Sequence, residues 1–341
     1  MLLSGSSVLQ GLERLDRLGA DAIVFVVDNK DRLLGSLTDG DVRRGLLRGK
    51  GVEAPVDDII QRHAKTVSKD NYSLNDIIEY RNNDFRVIPV LNGNNEIVNI
   101  INFRFQSSYL PVDAVIMAGG RGSRLRPLTD TTPKPLLKIG NKPIIDHSLH
   151  QLRKYGIDDY WISVRYLGEQ LEEHFGNGQD LGVHINYVWE DEPLGTIGAV
   201  SKIDCFHHDH VLITNSDILT NLNYEDFYLD FLEKEADMAV VTIPYEVNIP
   251  YAVMETSNHH VLSFQEKPTY TYYSNGGIYL VKKDLLKWIP QNTFYNSTDL
   301  MEKVIQEGLK LISYPMRHYW LDIGKPEDFR RAQEDIEHLN L

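Results

Sequence analysis

Two segments in the first third of the chain carry the same order of apolar and polar residues. Residues 25–38 align without gaps to residues 89–102, and each segment is typical of an apolar strand, a polar turn and a second strand. A pattern with helical spacing precedes each copy, through Val8, Leu12 and Leu15 before the first and Leu74, Ile77 and Ile78 before the second. The repeat predicts an α+β domain built from two similar halves.

From residue 112 onward, apolar runs alternate with segments of helical periodicity. A short polar connector at 107–111 separates this region from the repeat, so we place domains at 1–108 and 112–341. The alternation predicts an α/β fold with a mixed, mostly parallel sheet, and residues 253–265 continue it. The predicted strands are 114–117, 159–165, 183–189, 211–214, 238–243 and 276–281, and the predicted helices are 144–155, 169–175, 196–203, 227–235 and 326–338.

The charge balance is acidic and narrows the classes of function. Lys and Arg number 35 against 49 Asp and Glu, a formal net charge of −14, so neither a nucleic-acid nor an anionic-membrane partner is expected. No apolar stretch approaches the ~20 residues that a membrane-spanning helix needs. The single cysteine, Cys205, excludes an intramolecular disulfide and fits a cytoplasmic location. Beside Phe206, it is expected to be a core residue.

A glycine-rich turn is the most informative local feature. The apolar run 114–117 predicts a buried strand, and Gly119, Gly120 and Gly122 follow it. Glycines let backbone N–H groups approach an anion closely, so the turn predicts a phosphate-binding loop. It is not a Walker loop, since no Gly-Lys-Ser/Thr follows, and Leu125 replaces the third glycine of the dinucleotide fingerprint. Cations that could neutralise a polyphosphate follow at Arg121, Arg124, Arg126 and Lys134.

A carboxylate follows a second apolar run. Residues 210–216 predict a strand that ends in polar side chains, and Asp217 comes directly after them. In open α/β sheets, ligands bind outside the carboxyl ends of the strands. Asp217 is therefore a candidate Mg²⁺ ligand opposite the glycine turn, because Mg²⁺ prefers oxygen donors. The alternative is an Asx-turn residue with no ligand.

Together these motifs resemble the signature of the sugar-1-phosphate nucleotidyltransferase family. The resemblance rests on residues 112–129, on Pro-Lys-Pro-Leu-Leu at 133–137 and on Trp-x-Asp-x-Gly at 320–324. It implies a Rossmann-like nucleotidyltransferase fold, and it implies that Asp217 and Asp322 hold Mg²⁺. Without the family motif, Asp322 could equally be a carboxylate that caps a loop.

The resemblance also implies roles for the basic residues. Arg124 would clamp the β- and γ-phosphates with its bidentate guanidinium group. Lys134, between two prolines, would contact the phosphates, although alone it could be a solvated turn lysine. Arg121 and Arg126 would be supporting or surface charges.

Residues 190–199 resemble the family's base-recognition loop, with Ile197 in place of the usual alanine. The resemblance assigns Glu190 and Gly195 to nucleotide binding, and relatives that use thymidine or uridine nucleotides often carry Gln at the position of Glu190. A carboxylate only accepts hydrogen bonds, and guanine offers N1–H and N2–H₂ side by side, so GTP is favoured. The alternatives are a cytidylyl- or thymidylyltransferase, or a Glu190 that is only a solvated loop acid.

Two segments resemble the family's sugar-binding side. Glu266 and Lys267 belong to a Glu-Lys-Pro element, in which the Glu accepts hydrogen bonds from sugar hydroxyls and the Lys meets the sugar phosphate. By residue type alone they are a charge pair at a strand end. Asn275 and Gly277 belong to the strand that follows. Tyr251 precedes Ala252, where relatives often read Tyr-Gly.

The N-terminal repeat resembles tandem CBS motifs, a regulatory module, most specifically at residues 35–41. The resemblance implies that Thr38 and Asp41 meet the phosphate or ribose of an adenine nucleotide. The second copy has Asn102 and Phe105 at these positions, so at most one such site is expected. The alternative is a rigid module that pairs two chains, and a homo-oligomer formed through this domain is expected.

Over the whole chain, the resemblance is strongest to bacterial sugar-1-phosphate guanylyltransferases with an N-terminal CBS pair, of the kind that serves legionaminic acid biosynthesis. The expected reaction moves GMP from GTP to a hexose 1-phosphate and releases pyrophosphate. Glucosamine 1-phosphate is the favoured acceptor and mannose 1-phosphate the next. A non-catalytic subunit that senses sugar nucleotides is the alternative, but the joint presence of Arg124, Lys134, Asp217 and Asp322 argues against it.

Overall fold

The computed structural model describes residues 1–69 and 71–339. The contacts divide the chain into two compact units, Met1–Tyr109 and Leu110–Leu341. Among the helices of the described residues, none is both long enough and apolar enough to cross a membrane.

The first unit contains two three-stranded sheets with the same topology. Its elements are β1 (Leu2–Leu3), α1 (Val8–Leu18), β2 (Ile23–Val27), β3 (Leu33–Thr38), α2 (Asp39–Leu47), β4 (Val67–Ser68), α3 (Leu74–Asn82), β5 (Val87–Leu91) and β6 (Ile97–Asn102). In each sheet a two-residue strand pairs in parallel with the second strand, which pairs antiparallel with the third. The register shifts between Val26 and Val27 and, at the equivalent place, between Val90 and Leu91. The sequence repeat is therefore also a repeat of structure.

The two residues expected to meet an adenine nucleotide form the N-terminal cap of α2. Asp41 Oδ2 accepts hydrogen bonds from the Thr38 backbone N–H at 2.9 Å and from the Thr38 hydroxyl at 2.6 Å. Asp41 Oδ1 accepts from the Arg44 guanidinium at 2.5 Å, and Asp41 is only 8% exposed. Helix capping thus accounts for both residues, and a ligand role for them stays a prediction.

Replacing Asp41 with alanine is expected to destabilise the first unit. The change removes the acceptor for the Thr38 N–H, and loss of such a cap costs about 1–2 kcal/mol. Urea unfolding of the full chain, followed by a probe in the first unit, measures this cost. Asp39→Ala is the matched control, since Asp39 is an exposed residue of the same helix. Equal stability of the two variants would contradict the capping role.

The second unit carries the remaining elements around one large sheet. They are β7 (Val112–Met117), β8 (Lys138–Ile139), β9 (Lys142–Pro143), α4 (Ile144–Lys154), β10 (Asp159–Val164), α5 (Gly168–Phe175), β11 (His184–Trp189), β12 (His210–Asn215), β13 (Ile218–Thr220), α6 (Tyr224–Glu233), β14 (Met238–Asn248), β15 (Val253–Ser257), β16 (His260–Gln265), β17 (Thr269–Lys282), α7 (Lys283–Leu286), α8 (Ser297–Gln306), β18 (Leu311–Pro315), β19 (Trp320–Asp322) and α9 (Pro326–Asp335).

The large sheet has the strand order β11-β10-β7-β12-β17-β14-β18. Neighbouring strands are parallel except at β17, which runs antiparallel to both β12 and β14. All residues of β10 and all but the last of β7 are buried, as expected for parallel strands covered on both faces. The predicted mixed, mostly parallel α/β fold is confirmed for this unit.

Three local predictions in the second unit are wrong. The helix predicted at 196–203 is a short 3₁₀ turn, Gly198–Lys202, where a side chain at Gly198 would lie 2.6 Å from the Thr293 carbonyl oxygen. Residues 253–265 form the separate hairpin β15–β16 instead of one element. Cys205 is exposed rather than buried, because Phe206 alone turns inward and packs on Trp161, with ring centroids 5.2 Å apart.

Candidate active site

The glycine turn begins where β7 ends, and two of its glycines occupy positions that leave no room for a side chain. Gly122 has φ +61°, and a Cβ there would lie 2.9 Å from Lys134 Cβ and 3.1 Å from Thr129 Cγ2. A Cβ on Gly119 would collide with the carboxylate of Glu190. The turn therefore holds the base of a cavity in a shape that only glycine permits at these two positions.

A cavity of about 360 Å³ lies at the carboxyl ends of β7 and β12. This is the edge at which open α/β sheets bind ligands. The cavity brings together the predicted phosphate, nucleotide and metal residues of this unit except Asp322. Those that line it are Gly119, Gly120, Gly122, Arg124, Lys134, Glu190, Gly195 and Asp217.

Lys134 and Asp217 form an ion pair at the base of this cavity. Lys134 Nζ contacts Asp217 Oδ2, and the two side chains are only 11% and 21% exposed. The other carboxylate oxygen, Asp217 Oδ1, is buried and has no hydrogen-bond partner among the described residues. A buried carboxylate oxygen without a partner is costly unless a cation or donor satisfies it. Asp217 therefore has one oxygen available to a ligand.

The short antiparallel pair β13–β19 places Asp322 beside Asp217. Ile218 pairs with Asp322, and the Ile323 N–H donates to the Asp217 carbonyl at 2.9 Å. Burial, and then the negative charge of Asp217, raise the pKa of Asp322 above its ordinary value. Two adjacent, part-buried carboxylates, one of which raises the pKa of the other, fit a divalent cation.

Arg124 faces the same pair of carboxylates from the glycine-loop side. It lines the cavity, and its Nη2 lies 3.3 Å from where a Cβ of Gly324 would be, next to the segment that carries Asp322. Arg121 instead lies over the Tyr166 ring at 5.2 Å, and Arg126 pairs with Asp130 at 3.2 Å. Arg124 is thus the arginine of this turn that projects toward the carboxylates.

Glu190 is buried and holds two parts of the cavity wall together. Its Oε1 accepts a hydrogen bond from the Ser163 hydroxyl, and its Oε2 accepts from the Leu194 N–H at 3.1 Å. It is 7% exposed, so it is not a solvated loop acid. Each carboxylate oxygen retains a second lone pair that can accept another hydrogen bond. The bonds already present hold the loop that carries Gly195 in place.

Replacing Glu190 with Gln is expected to destabilise the second unit by about 1–3 kcal/mol. The amide keeps one acceptor oxygen and no charge. Either the Leu194 N–H faces the amide NH₂ and loses its acceptor, or the Ser163 hydroxyl must accept instead of donating and its charge-assisted hydrogen bond is lost. Equilibrium urea unfolding measures the effect. Glu192→Gln, at an exposed acid of the same loop, should leave stability unchanged, and equal losses in both variants would refute the bridging role.

A second cavity of about 290 Å³ shares Thr196 and Asn215 with the first, and the predicted residues Asn275, Gly277 and Asp322 line it. Asn275 Oδ1 accepts hydrogen bonds at 2.9 Å from both the Gly277 N–H and the Tyr279 hydroxyl. These bonds fix the amide at the wall of the cavity.

Three predicted sugar-site residues lie elsewhere. Tyr251 is 76% exposed in the segment between β14 and β15, and Glu266 and Lys267 are exposed after β16. None of the three lines either cavity. Asn275 lines the second cavity and the Glu-Lys-Pro element does not, so a sugar-binding role for Tyr251, Glu266 and Lys267 stays a prediction.

Several polar residues of the first cavity, Arg165 and Asn215 among them, were not predicted from the sequence. Arg165 follows β10 directly, and its Nε is buried without a hydrogen-bond partner among the described residues. Asn215 ends β12 and lines both cavities. Both come at the carboxyl end of a buried parallel strand, a position at which polar residues could have been proposed from sequence.

The fold and the cavity define a class of protein that binds phosphates at the carboxyl edge of a mostly parallel sheet. The chain belongs to the nucleotidyl transferase family, whose model matches residues 113–338. The match lies within the second unit.

Similar proteins share this region but differ in the nucleotide that their names give. A D-glycero-alpha-D-manno-heptose 1-phosphate guanylyltransferase of Aneurinibacillus thermoaerophilus is 32% identical over 232 residues, covering 67% of this chain and 99% of that protein. A UTP–glucose-1-phosphate uridylyltransferase of Synechocystis sp. is 33% identical over 239 residues, but the match spans only 62% of that protein and 64% of this chain. The solved structure of a candidate glucose-1-phosphate thymidylyltransferase from Bacillus anthracis superposes with a TM-score of 0.56 at 25% identity, covering 67% of this chain and 97% of that one.

Proposed function

We propose that the protein is a sugar-1-phosphate nucleotidyltransferase that moves GMP from GTP to a hexose 1-phosphate and releases pyrophosphate. Glucosamine 1-phosphate is the favoured acceptor and mannose 1-phosphate the next. The observation that carries the proposal is the convergence of Lys134, Asp217 and Arg124 on a glycine-lined cavity, with Asp322 beside them. The single cysteine fits a cytoplasmic enzyme.

In this mechanism, a phosphate oxygen of the sugar 1-phosphate attacks the α-phosphorus of GTP in line with the departing pyrophosphate. The bond between the α-phosphorus and its bridging oxygen breaks, and the electron pair leaves with the pyrophosphate. Arg124 and Lys134 stabilise the negative charge that accumulates on the phosphates. The attacking phosphate is already anionic, so no side chain needs to remove a proton.

Asp217 and Asp322 are the residues that would hold Mg²⁺. Bound there, the ion would neutralise phosphate charge and orient the reacting groups. The buried, unpartnered Oδ1 of Asp217 and the raised pKa of Asp322 support this assignment, because both features are relieved by a cation.

The proposal that the base is guanine rests on Glu190, and a pyrimidine base is the alternative. A guanine edge could donate to the lone pairs that Ser163 and Leu194 leave free on the carboxylate. The same two contacts would also suit a Glu190 that only shapes the loop, in which case a cytidylyl-, thymidylyl- or uridylyltransferase is the better description.

A pyrophosphate-release assay with Mg²⁺ tests the proposal. GTP, CTP, UTP, dTTP and ATP are each combined with glucosamine 1-phosphate or mannose 1-phosphate. Turnover with GTP alone supports the full proposal. Turnover with a pyrimidine nucleotide keeps the enzyme class and overturns the base assignment. No turnover in any combination, with sugar nucleotide still bound, supports the non-catalytic subunit.

We also propose that the first unit is a tandem CBS module that pairs two chains and binds an adenine nucleotide near Thr38 and Asp41. Two repeated half-units with one Thr–Asp pair support it. Analytical ultracentrifugation and calorimetric titration with AMP and ATP test it on the full chain. A dimer that binds neither nucleotide would mean that the module only pairs two chains. A monomer that binds neither nucleotide would overturn both parts of this proposal.

A further inference from the structure

The amino-terminal edge of the large sheet carries a second group of polar residues. His184 and Asp159 begin β11 and β10, Asp113 is the second residue of β7, and His208 stands just before β12. The strand order β11-β10-β7-β12 sets these four residues side by side. The glycine turn and Asp217 lie at the opposite ends of the same strands, so this group is separate from the candidate active site.

The side chains of this group meet in a compact cluster. Asp113 Oδ1 lies 3.1 Å from His208 Nδ1, and Asp113 Oδ2 accepts from the His208 N–H at 2.9 Å. Asp159 Oδ1 lies 3.1 Å from His184 Nδ1 and 4.0 Å from His207 Nε2. One ligand atom from each of Asp113, Asp159 and His208 can be chosen so that all lie within 4.8 Å of one another.

The two aspartates of this cluster are almost completely buried, which is unusual for acidic residues so close together. Asp113 and Asp159 are 0% and 2% exposed, and His208 is half-buried. Two buried carboxylates at this separation repel each other and lose their hydration, so additional positive charge beside them stabilises the folded state. A divalent cation supplies that charge at one point.

We propose that Asp113, Asp159 and His208 form a binding site for a transition-metal dication, with Zn²⁺ as the best match. Zn²⁺ binds imidazole nitrogen and carboxylate oxygen at about 2.0–2.2 Å, which puts neighbouring ligands of a tetrahedron roughly 3.4 Å apart. The observed separation of 3.1 Å between His208 Nδ1 and Asp113 Oδ1 is close to that edge. On binding, the metal would replace the hydrogen atom that lies between His208 Nδ1 and Asp113 Oδ1.

The remaining histidines complete the site. His207 is 54% exposed, and its Nε2 is near enough to Asp159 to become the fourth ligand after a change of rotamer. His184 keeps its hydrogen bond to Asp159 and orients that carboxylate. The site would tie the segment before β12 to the starts of β7 and β10, and it is independent of the proposed catalytic function.

Calorimetric titration of the full-length, chelator-treated protein with Zn²⁺ tests the proposal, with excess Mg²⁺ present to occupy the carboxylates at the other edge. One Zn²⁺ per chain is expected, with His208→Gln weakening its affinity at least about 100-fold. His174→Gln is the matched control, because His174 Nε2 pairs with Asp146 at 2.8 Å and this pair belongs to no group of three candidate ligands among the described residues. It should bind Zn²⁺ like the wild type.

Two further measurements keep the test decisive if His208→Gln folds poorly. The Co²⁺-loaded wild-type protein should show the strong visible absorption of a tetrahedral site. Asp217→Asn should retain the Zn²⁺ affinity of the wild type. Absence of stoichiometric Zn²⁺ binding, or a loss of zinc in Asp217→Asn but not in His208→Gln, would overturn the proposal.

Discussion

Replacing Asp217 with Asn is expected to lower the rate of pyrophosphate release by about 1000-fold or more. Asn has the same shape but no charge, so the cavity loses both the partner of Lys134 and an anionic oxygen for a cation. Asp322 alone would then face the metal. Single-turnover pyrophosphate release at several Mg²⁺ concentrations measures the effect, and a larger Mg²⁺ requirement should accompany the loss of rate.

The control for this experiment is Asp284→Asn. Asp284 is exposed, and its carboxylate pairs with Lys287 at 2.6 Å. This variant should retain full activity, and unfolding curves should show that both variants are folded at the temperature of the assay. Full activity in Asp217→Asn would mean that the metal assignment is wrong, whatever nucleotide the enzyme uses.

Replacing Arg124 with alanine is expected to reduce kcat/KM for the nucleotide by about 100-fold. Arg124 stands on the glycine turn and projects toward the segment after Asp322, so its guanidinium is placed to neutralise phosphates held between the two. Arg124→Lys keeps the charge but not the bidentate geometry, so it should recover only part of the loss. Steady-state kinetics of the three proteins give the comparison.

Arg126→Ala is the matched control for Arg124. Arg126 comes from the same turn but pairs with Asp130 and does not line the cavity. Its removal should leave kcat/KM nearly unchanged. If the two alanine variants lost activity equally, the effect would be one of general positive charge, and the specific role of Arg124 would be refuted.

The parts of the fold and site that the sequence predicts are those with strong local constraints. The parallel strands are continuous apolar runs, and the glycine turn has positions such as Gly122 where a side chain does not fit. The strand that precedes Asp217 is likewise a short apolar run. These features depend on neighbours along the chain, so local pattern is enough to place them.

The parts that the sequence did not predict depend on contacts between distant segments. On sequence alone Glu190 is a nucleotide-binding candidate or a solvated loop acid, and its burial becomes visible only through the hydrogen bond from Ser163 on the neighbouring strand. Tyr251, Glu266 and Lys267 match a family motif, but the hairpin that precedes the Glu-Lys-Pro element pairs only with itself and leaves them exposed. A motif identifies residue types, whereas the lining of the cavity depends on which loops fold over the carboxyl edge of the sheet.

The pairing of β13 with β19 has a consequence for synthesis of the protein on the ribosome. The glycine turn, Lys134 and Asp217 all emerge before Asp322, which lies in the last strand of the described chain. A nascent or prematurely released polypeptide that ends before Trp320 therefore carries the glycine turn and Asp217 without Asp322. On the proposed mechanism such a fragment lacks one of the two metal ligands, so a truncated product should not consume the cell's nucleotide pool.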